Sequence, residues 1–257
     1  MTDQIEASLQ AEFDTVARWT EEIVSRLGPD YAIPAACRGS AHPAWLSWIA
    51  ERLGVRPNDR FLDAGAGLGG PSAWLSQEYL PGIVPVLAEP MLGACTSARR
   101  LFELPTVCSW SQALPFADEA FDAAWCLGVL CTTTDKSALL KELHRVLRRG
   151  GRLGLLVLVQ VSTELADAPE GNDFPDRASL LTALAQAGFS LDDAIEAGTM
   201  PTADDEWQRR VKRVDDAVAN RFGDQPDWQT AHEQDRRIGR LLESGDLQTW
   251  LIVARVR

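Results

Sequence analysis

Apolar and polar positions follow two rhythms along this chain. Over residues 3–27, Ile5, Leu9, Phe13, Val16, Ile23 and Leu27 recur near the helical period and predict an amphipathic helix. Glycine and proline then break the pattern in "GPDYAIPAACRGSAHP" (28–43), which predicts an irregular loop. "AWLSWIAERLGV" (44–55) predicts a second helix, ended by Gly54. From residue 60 the rhythm changes, and short apolar runs alternate with amphipathic stretches. They predict strands at 60–64, 83–88, 106–109, 122–127, 152–160 and 190–197, and helices at 71–80, 91–103, 136–148 and 177–187. Such alternation belongs to an α/β fold: a mostly parallel sheet, covered on both faces and doubly wound by right-handed crossovers. Segment 203–245 leaves the alternation and predicts two polar helices. "DLQTWLIVARVR" closes the sequence as a final strand over 247–256.

Composition narrows the function classes. A chain of 257 residues with 46% hydrophobic residues can bury a real core as one large domain. The net charge of -12, from 37 acidic against 25 basic residues, argues against nucleic acid and against anionic membranes as partners. "MTDQIEASLQAEFDTVARWTEEI" lacks the apolar core and basic flank of a signal peptide, and the longest apolar run, "LGLLVLVQV", is too short to span a bilayer. Five cysteines, an odd number without a CxxC, fit a reducing compartment. No metal-ligand spacing is visible. The expectation is a cytoplasmic protein without a metal, whose partner is a small molecule; its oligomeric state is open.

The informative chemistry lies in "FLDAGAGLGGPSAWL" (61–75). A strand leads to Asp63, four glycines fall within six residues, and a helix begins near Pro71. Gly65, Gly67 and Gly70 satisfy G-x-G-x-x-G, a turn that lets a nucleotide approach the backbone closely. A pyrophosphate placed beside Asp63 would meet a like charge, whereas an ammonium group would be attracted. Glu89, at the end of "IVPVLAE", can accept hydrogen bonds from both hydroxyls of a ribose. A ligand with a ribose and an amino-acid end satisfies both carboxylates.

These blocks resemble the class I S-adenosylmethionine-dependent methyltransferases of the small-molecule branch. "FLDAGAGLGG" is similar to the family's first motif, "VLAEPML" to the block after the second strand, and "ALPFADEAFDAAWCLGVL" to the block around the fourth strand. "LLKELHRVLRRGGRLGL" is similar to the helix, turn and fifth strand of the family. The resemblance covers roughly 45–190. It implies a seven-stranded Rossmann-like sheet with the last strand antiparallel, and S-adenosyl-L-methionine as cofactor. It implies a cofactor site built from Arg38, Asp63, Gly65, Ala66, Gly67, Glu89, Pro90, Met91, Ser111, Gln112, Cys126 and Leu127. Trp110 stands where the family often has an acidic adenine contact, so Ser111 or Gln112 would supply the polar contact and Trp110 a stacking face. Arg149 replaces a usual proline, and Cys131 and Thr132 replace a frequent histidine pair.

The chain is then organised as an N-terminal helical cap (1–55), a cofactor-binding core (56–200), a helical lid insertion (201–245) and a final strand (246–257). Tyr31, Trp45, Cys131, Trp207 and Trp228 are expected to line the substrate pocket, with His232 as a candidate general base. Packing is the competing role for each of the tryptophans and for His42 and His144. The reaction expected is in-line methyl transfer to an O or N atom of a small molecule. S-adenosylmethionine binding without turnover and an NAD(P)-dependent oxidoreductase are the alternatives.

Overall fold

The computed structural model describes residues 2–38 and 41–257, with side chains from Phe13 onward, so the side chains of Ile5 and Leu9 lie outside the described set. Strands β1 (Phe61–Ala64), β2 (Val86–Glu89), β3 (Thr106–Cys108), β4 (Phe121–Leu127), β5 (Leu147–Gln160), β6 (Phe189–Glu196) and β7 (Leu247–Val256) are joined in one sheet. Its order is β3-β2-β1-β4-β5-β7-β6. Strands β1 to β5 pair in parallel, and β7 runs antiparallel to both β5 and β6. The order reverses between β1 and β4, and a ligand crevice forms at such a switch point, beyond the strands' carboxyl ends. The expected doubly wound seven-stranded sheet with an antiparallel last strand is observed.

Nine α-helices are described: α1 (Thr2–Leu27), α2 (Ala32–Ala36), α3 (Pro43–Leu53), α4 (Gly70–Trp74), α5 (Leu92–Phe102), α6 (Lys136–Val146), α7 (Arg177–Gln186), α8 (Asp205–Phe222) and α9 (Pro226–Glu243). Local chemistry sets their ends. Asp135, Asp176 and Asp204 cap α6, α7 and α8, accepting from the backbone N–H groups of Ala138, Ser179 and Trp207. Gly54 closes α3 in the left-handed conformation.

Alternate side chains of the strands enter two cores. Phe61, Ala123, Trp125, Leu127, Leu251 and Val253 face α2–α4 and α8. Leu62, Ala64, Ala124, Cys126, Leu155 and Ile252 face α6 and α7. Asp63 of β1 and Glu89 of β2 fall on the first of these faces, two residues along from Phe61 and Leu87. At the opposite end of the sheet, Asp122 is gripped by Arg60 and Arg148 at 3.1 and 2.7 Å, and these hydrogen bonds pull its carboxyl down to about 2. "LRRGG" is thereby a structural corner, far from the ligand-binding ends.

Three expectations need correction. The segment 28–43 is not wholly irregular: Pro29–Tyr31 forms a 3-10 turn, and all five residues of α2 are buried. Its small side chains allow close backbone packing, which outweighs the break expected from Pro34. The second strand starts at Val86 rather than 83, after Pro85, which has no N–H to give to a ladder. The fifth begins at Leu147, five residues early, because the chain re-pairs across Gly150 (φ +72). The segment 201–245 forms the two helices expected, and they are packed against the rest of the fold. Val214 and Val218 of α8 are fully buried in the first core, and Phe222 stacks on Trp19 of α1 at 4.6 Å. Among the described residues no helix is long and apolar enough to cross a membrane.

Candidate functional site

The chain leaves β1 into a turn fixed by backbone bonds: the N–H groups of Gly65 and Ala66 both donate to the Ala88 carbonyl of the neighbouring β2, at 2.8 and 3.2 Å. Gly65 has φ +76, and a Cβ there would lie 2.3 Å from a methyl of Val129. Only glycine meets both demands without strain. Gly67 (φ +54) turns its N–H toward Glu89, whose Oε2 accepts it at 2.8 Å. The other oxygen, Oε1, accepts from the Met91 N–H at 3.1 Å. One carboxylate thus ties the glycine turn to the β2–α5 turn through Pro90 and Met91, with lone pairs to spare for a ligand. Burial pushes the Glu89 carboxyl up to about 7; the two N–H donors oppose this, and the charges of Asp63 and Asp14 add to it. Asp63 is also buried. Its Oδ2 accepts from the Ser72 hydroxyl at 2.7 Å, and desolvation pushes its carboxyl up to about 6.

One contributor was missed by the sequence reading. Helix α5 begins after Met91, which carries no capping side chain. Asp14 of α1 takes that role, accepting from the N–H groups of Gly93 and Ala94 at 2.5 and 3.2 Å. The missing cap at Met91 was a legible sign that some other segment must supply one. The N-terminal helix is thereby tied to the turn that positions Glu89.

Beyond β3, Ser111 is buried and the Gln112 amide donates to the Thr133 hydroxyl at 3.0 Å, joining the loops after β3 and β4. Trp110 is 46% exposed, so its ring offers a free face beside these loops. Cys126 and Leu127 end β4 as buried residues, and burial pushes the Cys126 thiol far above its ordinary range.

In the cap, Tyr31, Trp45, Trp207 and Trp228 all pack, partly buried, against the first core. Cys131 does not join them. It sits in a separate cluster with Phe174, Leu241 and Leu247, donates to the Gly128 carbonyl, and has its thiol pushed up to about 11 by burial. Its expected place in the substrate pocket is therefore corrected to a packing role. The expectation for His232 is corrected too: it is exposed, stacked on Trp228 at 4.5 Å, because its position on α9 falls on the solvent side. His42 lies at the other end of the cap sequence and is partly buried. It precedes α3, its ring lies 4.5 Å from that of Trp45, and its Nδ1 is buried without a partner among the described residues. Burial lowers its pKa and favours the neutral ring. Arg38 pairs with Asp235 of α9 at 2.5 Å and Asp215 of α8 at 3.7 Å, so its guanidinium locks the cap helices to α2. His144 packs edge-on against Phe189, as expected for a structural residue. A separate cavity of about 560 Å³ opens beyond β5, between Lys136, Gln160, Asp173, Phe174 and Asp176, and none of the expected site residues line it.

Comparison with known proteins places the glycine turn and Glu89 in a family context. Residues 62–155 match the family model described as a methyltransferase domain. The ubiquinone/menaquinone biosynthesis C-methyltransferase UbiE of Xanthomonas oryzae pv. oryzae is 32% identical over 130 residues, which cover 48% of this chain and 51% of that protein. The chain spans about half the length of the curated relatives it matches. Among solved structures, the [4+2]-cyclase SpnF superposes with a TM-score of 0.69 at 22% identity, over 95% of both chains. Geranyl diphosphate C-methyltransferase from Streptomyces coelicolor A3(2), solved with S-adenosyl-L-homocysteine, does so with a TM-score of 0.61 at 17% identity, over 83% of this chain and 76% of that one. The sequence match over 62–155 bears out the resemblance to S-adenosylmethionine-dependent methyltransferases, and the superpositions bear out the fold over nearly the whole chain.

Proposed function

We propose that this chain, whose core is a class I methyltransferase domain, transfers a methyl group from S-adenosyl-L-methionine to an O or N atom of a small molecule. The observation that carries the reading is the carboxylate of Glu89, buried at the end of β2 and bound to the N–H of Gly67 in the glycine turn. That arrangement fits a ribose placed against the strand end, and the sequence match covers the same residues. Asp63, Gly65, Ala66, Gly67, Glu89, Pro90, Met91, Ser111, Gln112, Cys126 and Leu127 would hold the cofactor. Arg38 would hold its carboxylate only by releasing an aspartate of the cap. When bound, the cofactor supplies an electrophilic methyl on a sulfonium. The chain's own work is to align the acceptor and exclude water, for which Trp45, Trp207, Trp228 and Tyr31 provide apolar walls. A hydroxyl or amine acceptor would also need a base, and the ring of His42, held neutral by burial, would serve if the acceptor reached it.

Fold alone does not fix this reaction. The neighbour that matches 95% of both chains is a cyclase. Methyl transfer rests on the sequence match over 62–155, and the relatives by sequence include carbon methyltransferases. Calorimetric titration tests the first step: S-adenosylmethionine and S-adenosylhomocysteine should bind and NAD should not. Binding of NAD alone would overturn the reading in favour of an oxidoreductase. Release of S-adenosylhomocysteine over many turnovers, with a methylated acceptor, separates an enzyme from a protein that binds the cofactor without turnover.

His232→Ala should change turnover by less than about twofold, as for an exposed side chain outside any buried network. A tenfold loss in kcat would restore His232 to the site.

A further inference from the structure

Cys95 and Cys108 come from different elements, α5 and the end of β3, and meet at the turn that carries Glu89. The Cys95 thiol donates to the Glu89 carbonyl at 3.1 Å, and its sulfur lies 4.0 Å from the carbonyl oxygen of Val107, the residue bonded to Cys108. The Cys108 thiol donates to the Pro90 carbonyl at 3.3 Å. Cys108 pairs in register with Glu89 across the ladder. Two sulfurs thus hold the carbonyls of two consecutive residues, within one peptide unit of each other. The remaining cysteines, Cys37, Cys126 and Cys131, are buried in three other core clusters.

We propose that Cys95 and Cys108 are a reversible disulfide pair, whose oxidation frees the β2–α5 turn and weakens the nucleoside site. Access sets the order of events. Cys108 is exposed on the edge strand, while Cys95 is buried. Burial, with Cys108 and Glu89 alongside, pushes the Cys95 thiol up to about 12, so Cys95 is the poorer attacking group. The co-reactant is a low-molecular-weight disulfide. The Cys108 thiolate attacks one of its sulfurs and expels one thiolate. Cys95 then gives up its proton, and its sulfur attacks the Cys108 sulfur of the mixed disulfide. The Cys95–Cys108 bond forms as the second thiolate leaves. Two protein thiols are oxidised and one external disulfide is reduced to two thiols, which take up the protons. Both S–H donors to the turn are lost in the product. Disulfides of this kind in reducing compartments are transient and regulatory rather than structural.

The effect on the nucleoside site rests on the proposed function; the disulfide itself does not. The native chain is treated with oxidised glutathione, and intact mass and a non-reducing peptide map are recorded beside S-adenosylhomocysteine titration. The expected result is a loss of two hydrogens, one linked peptide joining 95 to 108, and an affinity lowered roughly tenfold, as for two lost hydrogen bonds. Reduction should restore it. Cys108→Ser should show neither the link nor the oxidant response. A glutathione adduct on Cys108 that never closes, or no modification, would overturn the pair. A complete link with unchanged affinity would overturn its grip on the turn. A reduced chain that binds no S-adenosylhomocysteine would instead overturn the proposed function, and the mass would still decide the disulfide.

Discussion

Glu89→Ala is expected to weaken S-adenosylhomocysteine binding by about 1.5–3 kcal/mol, roughly 10- to 150-fold, through loss of charge-assisted hydrogen bonds to two ribose hydroxyls. Alanine would also leave the N–H groups of Gly67 and Met91 without their acceptor. Glu89→Gln is therefore the cleaner partner variant, because its carbonyl can still accept one of them. It should fold like the parent and still lose most of the affinity. A dissociation constant unchanged in the glutamine variant would show that the carboxylate does not meet the ligand.

The same carboxyl makes a pH prediction of opposite sign for stability and binding. Burial raises Glu89 to about 7 and Asp63 to about 6, above their values in an unfolded chain. Both hold protons in the folded chain at a pH where the unfolded chain has lost them. Their contribution to stability is full below about pH 4 and is lost as pH rises through the folded values. Ribose hydroxyls donate to the ionised carboxylate, so affinity should climb from about pH 5.5 and level off above about pH 7. Thermal midpoints and dissociation constants measured on one sample across that range check both signs. An affinity flat with pH would mean that Glu89 is already ionised.

The parts of this arrangement that repeat along the chain were legible in its sequence, and the parts made by distant contacts were not. The strands and helices of the core announce themselves through apolar period, and the aspartates that cap α6 and α7 stand where such a helix begins. Glu89 and the glycines are legible because their chemistry is local to a strand end. Asp14 reaches α5 across 79 residues, and nothing in the sequence around it names that partner. His232 was misplaced for a related reason. The polar helix α9 has few apolar residues to mark its inner side, and a histidine beside Trp228 reads equally as lining or as surface. Helix α2 was hidden because "AIPAA" lacks both period and length. Its helicity comes from what it packs against.

That packing yields the second large effect. Gly70→Ala should destabilise the chain by about 3 kcal/mol, the upper part of the range for overpacking, and lower its thermal midpoint by roughly 6–12 °C. A Cβ at residue 70 would lie 2.3 Å from the Ala36 carbonyl carbon, 2.4 Å from the Cys37 nitrogen and 2.6 Å from the Ala36 oxygen. All three are backbone atoms at the end of α2, so no rotamer change relieves the contact. Gly67→Ala is the control within the same turn. It meets nothing within 4 Å and carries only the strain of φ +54, about 1 kcal/mol. The two variants therefore separate close approach from conformational freedom, the two reasons for glycine in this motif. Displacing α2 would also move Arg38 and His42, which lie just beyond it. Gly70→Ala should accordingly lose turnover even at temperatures where it remains folded, while losing less cofactor affinity than Glu89→Gln. Equal, small stability losses in Gly70→Ala and Gly67→Ala would show that α2 gives way freely, and that its contact with the glycine turn does not fix the site.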